Sequence, residues 1–254
     1  MEKKPIISIQ NLVAGYQEAV ILKDITVDIM EKDITVIVGG SGCGKSTLLK
    51  HIIGLHRPKA GRVVVDGCDI TACNERQYRS LLQRIGVLYQ GSALLGSMTV
   101  GENVALPLKE YMRLSRQDLE ALVRIKLSMV HLDGYANHLP SELSGGMKKR
   151  AGLARAMALN PKLLFFDEPS AGLDPITASE LDQLILRLNR IFGTTMVVVT
   201  HELRSIFTIA SRVIMLDKAA KGIIATGTPQ ELRDDGGHPI VRKFFNPGRA
   251  DTSA

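Results

Sequence analysis

Two hundred and fifty-four residues give room for one large α/β domain, and a chain of this size buries roughly 70–75 % of its unfolded surface without a metal or disulfide staple. With 45 % hydrophobic and 23 % charged residues the composition argues against disordered, collagen-like and coiled-coil classes, and five Tyr, six Phe and no Trp argue against a stacking platform for single-stranded nucleic acid. The net charge of +6 suits a phosphate ligand, an anionic membrane surface or nucleic acid, and does not choose among them.

Along the chain, IISIQNLV from Ile6, AVILKDITVDI from Ala19 and ITVIV from Ile34 read as short strands, the first two with the alternation of half-buried strands. Four continuous apolar runs follow the pattern of central parallel strands covered on both faces: TVIV before Gly39, IGVLY before Gln90, LLFF before Asp167, and TMVVV before Thr200 and His201. Open α/β sheets bind ligands at the carboxyl ends of their strands, so these four ends point to one site. Between Gln90 and Pro161 the pattern turns helical, with Leu119, Leu122, Val123, Met129 and Leu132 at helix-like spacing and a second helix after Ser144. This stretch, about residues 91–160, is expected to form an α-helical lobe inserted between two strands. The last eight residues, PGRADTSA, read as a frayed tail.

Cys43, Cys68 and Cys73 have no metal-ligand spacing, and an odd, irregular set fits a reducing, cytoplasmic compartment. The start MEKKPIISIQ lacks the apolar core of a signal peptide, and no apolar stretch reaches about 18 residues, so contact with a membrane is expected to come through a partner.

Gly39-Gly40-Ser41-Gly42-Cys43-Gly44-Lys45-Ser46 matches G-x4-G-K-[ST] between an apolar strand and the helical run STLLKHIIG. Glycines let successive N–H groups turn inward around an anion, and the following helix start adds partial positive charge. Lys45 is placed to bind the β- and γ-phosphates of a nucleotide and Ser46 to coordinate Mg²⁺. LLFFDE is the companion element: Asp167 can hold the metal, and Glu168 can polarise an attacking water or, more plainly, cap the helix after Pro169. In LSGGM, Ser144 is a helix N-cap candidate, while Gly145 and Gly146 allow close backbone approach, giving a second helix-start anion site. Lys148, Lys149 and Arg150, just after it, read as a solvated helix face.

Taken together in this order, the motifs resemble those of the ATP-binding cassette (ABC) ATPases, from about residue 6 to residue 232. The resemblance implies a P-loop NTPase, RecA-like α/β core with an N-terminal antiparallel β-subdomain and an inserted α-helical subdomain. It implies one cassette over residues 1–238 and a tail over 239–254. It matches Tyr16 to the aromatic that stacks on adenine, residues 39–47 (through Thr47) to the phosphate loop, and Gln90 to the Q-loop glutamine, a further metal ligand. Glu168 then corresponds to the catalytic glutamate, Asp174 to the loop joining two sites, and His201 to the switch histidine at the γ-phosphate. ATP and Mg²⁺ are the implied ligands. Cassettes of this family pair head to tail, so that the phosphate loop of one copy faces Ser144–Gly146 of the other.

Repair ATPases of the family carry a long coiled coil and translation factors carry two cassettes; this chain has neither. The segments YQGSALLGSMTVGENVALPLKE, LSGGMKKRAGLARAMAL, GLDPITASELDQLI and GTPQEL, with PIVRKFFNPGRAD, resemble the ATPases of Mla/Mce-type phospholipid transporters. That likeness implies a peripheral subunit on the cytoplasmic face of a bacterial inner membrane. Its implied partners are an integral permease, a Mce-domain lipid-binding protein and a small STAS-type regulator, with no nucleic acid. Other transported classes (amino acids, lipoproteins, organic solvents) and a soluble regulator of DNA or ribosomes are the alternatives. In the tail from Pro239, Phe244 and Phe245 beside Arg242 and Lys243 would suit docking on a neighbouring subunit.

Overall fold

The structure, a computed structural model, describes residues 4–234 and 237–247. The chain divides into two compact units, one formed by the stretch up to Asn74 together with the stretch from Val197 on, the other by Glu75–Met196.

The first unit opens with β1 (Pro5–Tyr16) and β2 (Ala19–Met30), which form an antiparallel hairpin. Along β1 the most deeply buried apolar residues run Ile7 and Ile9, then Leu12 and Ala14, a change of phase by one position. A bulge at Asn11 (φ +48°) absorbs that extra residue, and Thr26 Oγ1 pins it by accepting from the Asn11 N–H at 2.9 Å and donating to Asn11 Oδ1 at 3.1 Å. Without the bulge a one-residue slip would turn Leu12 and Ala14 outward. β3 (Ile34–Gly39) follows, buried along its whole length, and five residues separate its end from the start of α1 (Lys45–Ile52). β4 (Ala60–Val65) and the short β5 (Cys68–Asp69) complete a four-stranded sheet in the order β2-β1-β4-β5.

In the second unit, α2 (Glu75–Leu82) leads into β6 (Ile85–Leu88). α3 (Val100–Tyr111) is started by a capping box, Thr99 Oγ1 accepting from the Glu102 N–H at 3.2 Å and Glu102 accepting from the Thr99 N–H at 2.7 Å. α4 (Arg116–Met129) is capped by Ser115, and a 3₁₀ turn, Pro140–Glu142, precedes α5 (Gly145–Ala156). From 91 to 160 the chain contains helices and turns and no strand. On α4, Val123 and Leu127 are buried, as are Val130 and Leu132 just beyond it, while Leu119, Leu122 and Met129 are half-buried. β7 (Leu163–Asp167) pairs parallel with β6, Val87 opposite Phe165, and α6 (Pro175–Phe192) ends at Gly193 in the left-handed conformation, φ +62°.

β8 (Thr195–Val199) carries the chain back to the first unit, followed by α7 (Leu203–Ile209), β9 (Arg212–Asp217), β10 (Gly222–Gly227), α8 (Pro229–Asp234) and α9 (Pro239–Phe245). In that unit a second sheet runs in the order β10-β9-β3-β8, with β3 and β9 parallel and Ile37 opposite Ile214. In its described part the segment from Pro239 packs one face of α9 on its own unit and leaves Arg242 and Lys243 exposed and Phe244 half-buried. Val241 and Phe245 are buried, and the Phe245 ring meets Phe207 edge-on at 6.0 Å, because an apolar i, i+4 pair on a short helix is more stable inside its own core. The frayed-tail expectation falls mostly on residues 248–254, outside the described residues. Among the described residues no helix is long and apolar enough to cross a membrane.

Candidate functional site

In the first unit, the turn from β3 into α1 depends on glycine at particular places. Gly39 has φ +145°, and a Cβ there would lie 2.3 Å from the Leu216 carbonyl oxygen on β9 and 2.6 Å from Cys43 Sγ. Gly44, at φ +103°, is the N-cap of α1 and packs against Leu22, leaving 2.8 Å for any added Cβ. Gly40, Ser41 and Gly42 between them are exposed. Lys45 folds back over the loop, its ammonium donating to the carbonyls of Gly39 at 2.9 Å and Gly40 at 3.2 Å. A half-buried cation is thus held beside exposed main chain at the start of a helix, an anion-binding arrangement. Cys43 is buried, and burial pushes its thiol above the ordinary range against the pull of Lys45; this side chain fills the interior, and the position offers a ligand main chain only.

Ser46 is half-buried on the first turn of α1, and Thr47 behind it is buried. The Thr47 hydroxyl donates to the Tyr16 hydroxyl at 3.4 Å, and the Tyr16 ring, at the exposed end of β1, meets His56 edge-on at 5.1 Å. His201 lies two residues past the end of β8 and is exposed, in a segment where the Thr200 hydroxyl accepts from the Glu202 N–H at 3.2 Å. The first unit therefore holds Tyr16, the whole phosphate loop and His201.

The second unit holds Gln90, Ser144–Gly146, Asp167, Glu168 and Asp174. Asp167 ends β7 and Glu168 follows in a left-handed conformation, φ +48°; both are half-buried. The helix beyond them starts at Pro175 and its cap is Asp174, whose carboxylate accepts from the N–H groups of Ile176 and Thr177, both at 3.0 Å. Glu168 is therefore not that helix's cap. Hydrogen bonds from Thr177, side chain first, hold the exposed Asp174 carboxyl below its ordinary range. Ser144 caps α5, its hydroxyl accepting from the Met147 N–H at 3.3 Å, and it stays exposed with Gly145. Gly146 is buried, and a Cβ there would meet Thr177 Cγ2 at 2.4 Å, so α5 and α6 begin against each other.

One expectation fails here. Lys149 is not on a solvated face: it is 5 % exposed, and its ammonium donates to the main-chain carbonyls of Gln90 and, at 3.3 Å, Glu168. Arg150 is paired too, with Glu180 at 2.5 Å. The misread comes from composition, since three adjacent cations suggest solvent. Spacing carries the opposite signal, because Lys149 lies three residues after buried Gly146 and four before buried Leu153, on one helix stripe. Further along α5, Arg155 donates to the carbonyls of Ser92 at 2.9 Å and Ala93 at 2.7 Å, a contact with the loop after Gln90 that sequence reading also missed.

A buried strand, a glycine loop folded around its own lysine and a following helix define a P-loop nucleotide-binding protein. Over residues 22–171 the chain matches the ABC transporter family, and it belongs to that family. It is 42 % identical over 231 residues, 91 % of this chain and 84 % of the relative, to the intermembrane phospholipid transport system ATP-binding protein MlaF of Escherichia coli K12. To the MlaF of Haemophilus influenzae it is 39 % identical, covering 97 % of this chain and 92 % of the relative. A probable ribonucleotide transport ATP-binding protein, mkl, of Mycobacterium leprae is 38 % identical, covering 96 % of this chain and 69 % of the relative. Among solved structures, the dimeric post-hydrolysis state of the ATP-binding cassette MJ0796 with ADP and Pi aligns at TM-score 0.78 and 30 % identity over 87 % of this chain and 98 % of that one. The cassette cbiO1 from Clostridium perfringens, part of the transporter complex cbiONQ, aligns at TM-score 0.83 and 28 % identity over 92 % of each. The fold is that of the P-loop NTPase cassettes, and the chain is an ABC ATPase homologous to MlaF.

Proposed function

We propose that this chain is the ATP-hydrolysing subunit of a phospholipid transporter, acting as a head-to-tail dimer on an integral membrane permease. The observation that carries the ATP chemistry is Lys45, held by the loop's own Gly39 and Gly40 carbonyls until phosphate oxygens take their place. In the proposed site Lys45 and the loop amides from Gly40 to Thr47 bind the β- and γ-phosphates, and Tyr16 stacks on adenine. The Ser46 hydroxyl, Gln90 amide and Asp167 carboxylate are oxygen donors, the set a hard divalent cation takes, and they fit Mg²⁺. When bound, Mg²⁺ would offset phosphate charge. Glu168 orients the attacking water and accepts its proton, and His201 hydrogen-bonds the γ-phosphate. Ser144 and Gly145, exposed at a capped helix start, contribute with Gly146 the second anion site to the nucleotide of the partner copy, and Asp174 lies in the loop joining the two sites.

The phospholipid cargo follows the two MlaF relatives, at 42 % and 39 % identity, against 38 % for the mkl protein. The cassette itself moves no lipid; the permease, a Mce-domain lipid carrier and a STAS-type regulator would complete an assembly at the cytoplasmic face of the inner membrane. The test is affinity purification of the tagged chain from detergent-solubilised membranes. The expected result is co-purification with an integral membrane protein and bound phospholipid, and with ATPase activity that Glu168→Gln lowers roughly 10²–10⁴-fold. Recovery with ribosomes or DNA instead would overturn the transport reading.

A further inference from the structure

We propose that Lys149 is a positioning residue for hydrolysis: its buried ammonium ties the main chain at Gln90 to the main chain at Glu168 and so fixes the backbone conformation that aims the Glu168 carboxylate. The proposal rests on the reading of Glu168 as the group that activates water.

Glu168 is held where a non-glycine residue does not rest by itself. Its φ of +48° is left-handed, a strained conformation that persists only when neighbours over-determine it. The next residue is Pro169, whose ring favours an extended conformation for the residue before it. Two donors converge on the Glu168 carbonyl, the Ala171 N–H at 3.2 Å and the Lys149 ammonium at 3.3 Å. The first closes the local turn. The second comes from a different element, α5, and so sets the turn's orientation against that helix.

A lysine in this setting is demanding, which is why it can act as a strut. A buried charge is tolerated only when it is hydrogen-bonded, and charge-assisted bonds are the strong ones. With Gln90 and Glu168 carbonyls as acceptors of one ammonium, neither main-chain segment can shift without leaving the cation under-solvated. Burial lowers the Lys149 pKa, and the nearby carboxylates of Glu168 and Asp167 counter that effect. The Gln90 end is itself anchored, since Arg155 of the same helix holds the Ser92 and Ala93 carbonyls. One helix therefore grips the segment after β6 at two points and reaches the catalytic turn with Lys149.

The test uses the full chain and a double-mutant cycle with steady-state ATPase kinetics. Lys149→Met is expected to lower kcat roughly 10–100-fold, the scale of a catalytic group displaced by about an ångström, with KM for ATP within about twofold. Lys149→Arg, which keeps the charge and the donors, should recover most of kcat. In a Glu168→Gln background, Lys149→Met should leave residual turnover unchanged, because the group it positions is already gone. Lys149→Gln, which keeps a polar donor in the pocket, runs through the same cycle should Lys149→Met not fold. A loss expressed in KM, an equal loss in the Glu168→Gln background, or no recovery with arginine would each overturn the proposal. Full activity of Glu168→Gln itself would instead overturn the assignment of Glu168, a separate and distinguishable failure.

Discussion

In the proposed mechanism Lys45 and Glu168 serve different parts of one reaction, and substitution should separate them. Lys45→Ala leaves the loop amides in place and removes the ammonium now held by the Gly39 and Gly40 carbonyls. A hydrogen bond to a charged group contributes about 1.5–3 kcal/mol, so ATP affinity should fall roughly 10–100-fold when measured with a fluorescent nucleotide. Glu168→Gln keeps volume and polarity and loses only the basic oxygen. It should bind ATP with near-native affinity while hydrolysis falls roughly 10²–10⁴-fold, the usual worth of a general base. Equal losses of binding in both variants would show that Glu168 holds the loop together and does not act on water. Both positions can be singled out in sequence because phosphate chemistry needs fixed residue types at fixed spacing. Lys149 was not legible as a partner of Glu168, since its acceptors are main-chain carbonyls 59 and 19 positions away, and a carbonyl leaves no mark on sequence.

At the scale of elements, the strands that carry motifs were readable and the devices that let them pack were only partly so. Continuous apolar runs predict β3, β6, β7 and β8 nearly to the residue. β9, Arg212–Asp217, has the same kind of run and goes unread because no motif marks its end, although its Leu216 carbonyl is what requires glycine at Gly39. The bulge at Asn11 is invisible to simple alternation for a related reason, because its partner Thr26 sits 15 positions on. Gly86 is a sharper case. In sequence it is one glycine inside the strand run IGVL; in the structure a Cβ there would lie 2.1 Å from the Ala156 carbonyl at the end of α5. That is a backbone contact, so relief requires moving the helix or the strand. Gly86→Ala should destabilise the chain by about 1–3 kcal/mol, the cost of overpacking, as a lower urea midpoint with an unchanged slope. Because the affected helix begins at Ser144 and carries Lys149, the variant should also lose ATPase activity while still folded. Native stability in that variant would mean that β6 and α5 separate at no cost.

For the whole molecule the decisive question is which copy completes which site. The phosphate loop, Tyr16 and His201 belong to one compact unit, while Gln90, Ser144–Gly146, Asp167 and Glu168 belong to the other. Sequence could supply both sets and their order; it could not supply pairing between copies, because a helix start exposed for an anion looks the same whether that anion is bound in cis or in trans. Complementation decides it. Lys45→Ala damages the phosphate loop and spares the signature; Ser144→Arg puts a bulky side chain at the exposed α5 cap and spares the loop. In a head-to-tail dimer each variant alone has two damaged sites. A mixed dimer has one site built from two intact halves and one built from two damaged halves. Neither pure variant should hydrolyse ATP well, and the mixture should regain turnover that rises and passes through a maximum as the ratio of the two chains approaches equality. If each site were completed within one chain, every site in the mixture would keep one damaged half, and no ratio would restore activity. Turnover against mixing ratio therefore separates the two arrangements without a structure of the dimer, and a flat profile at the level of the pure variants would exclude the trans-acting signature helix.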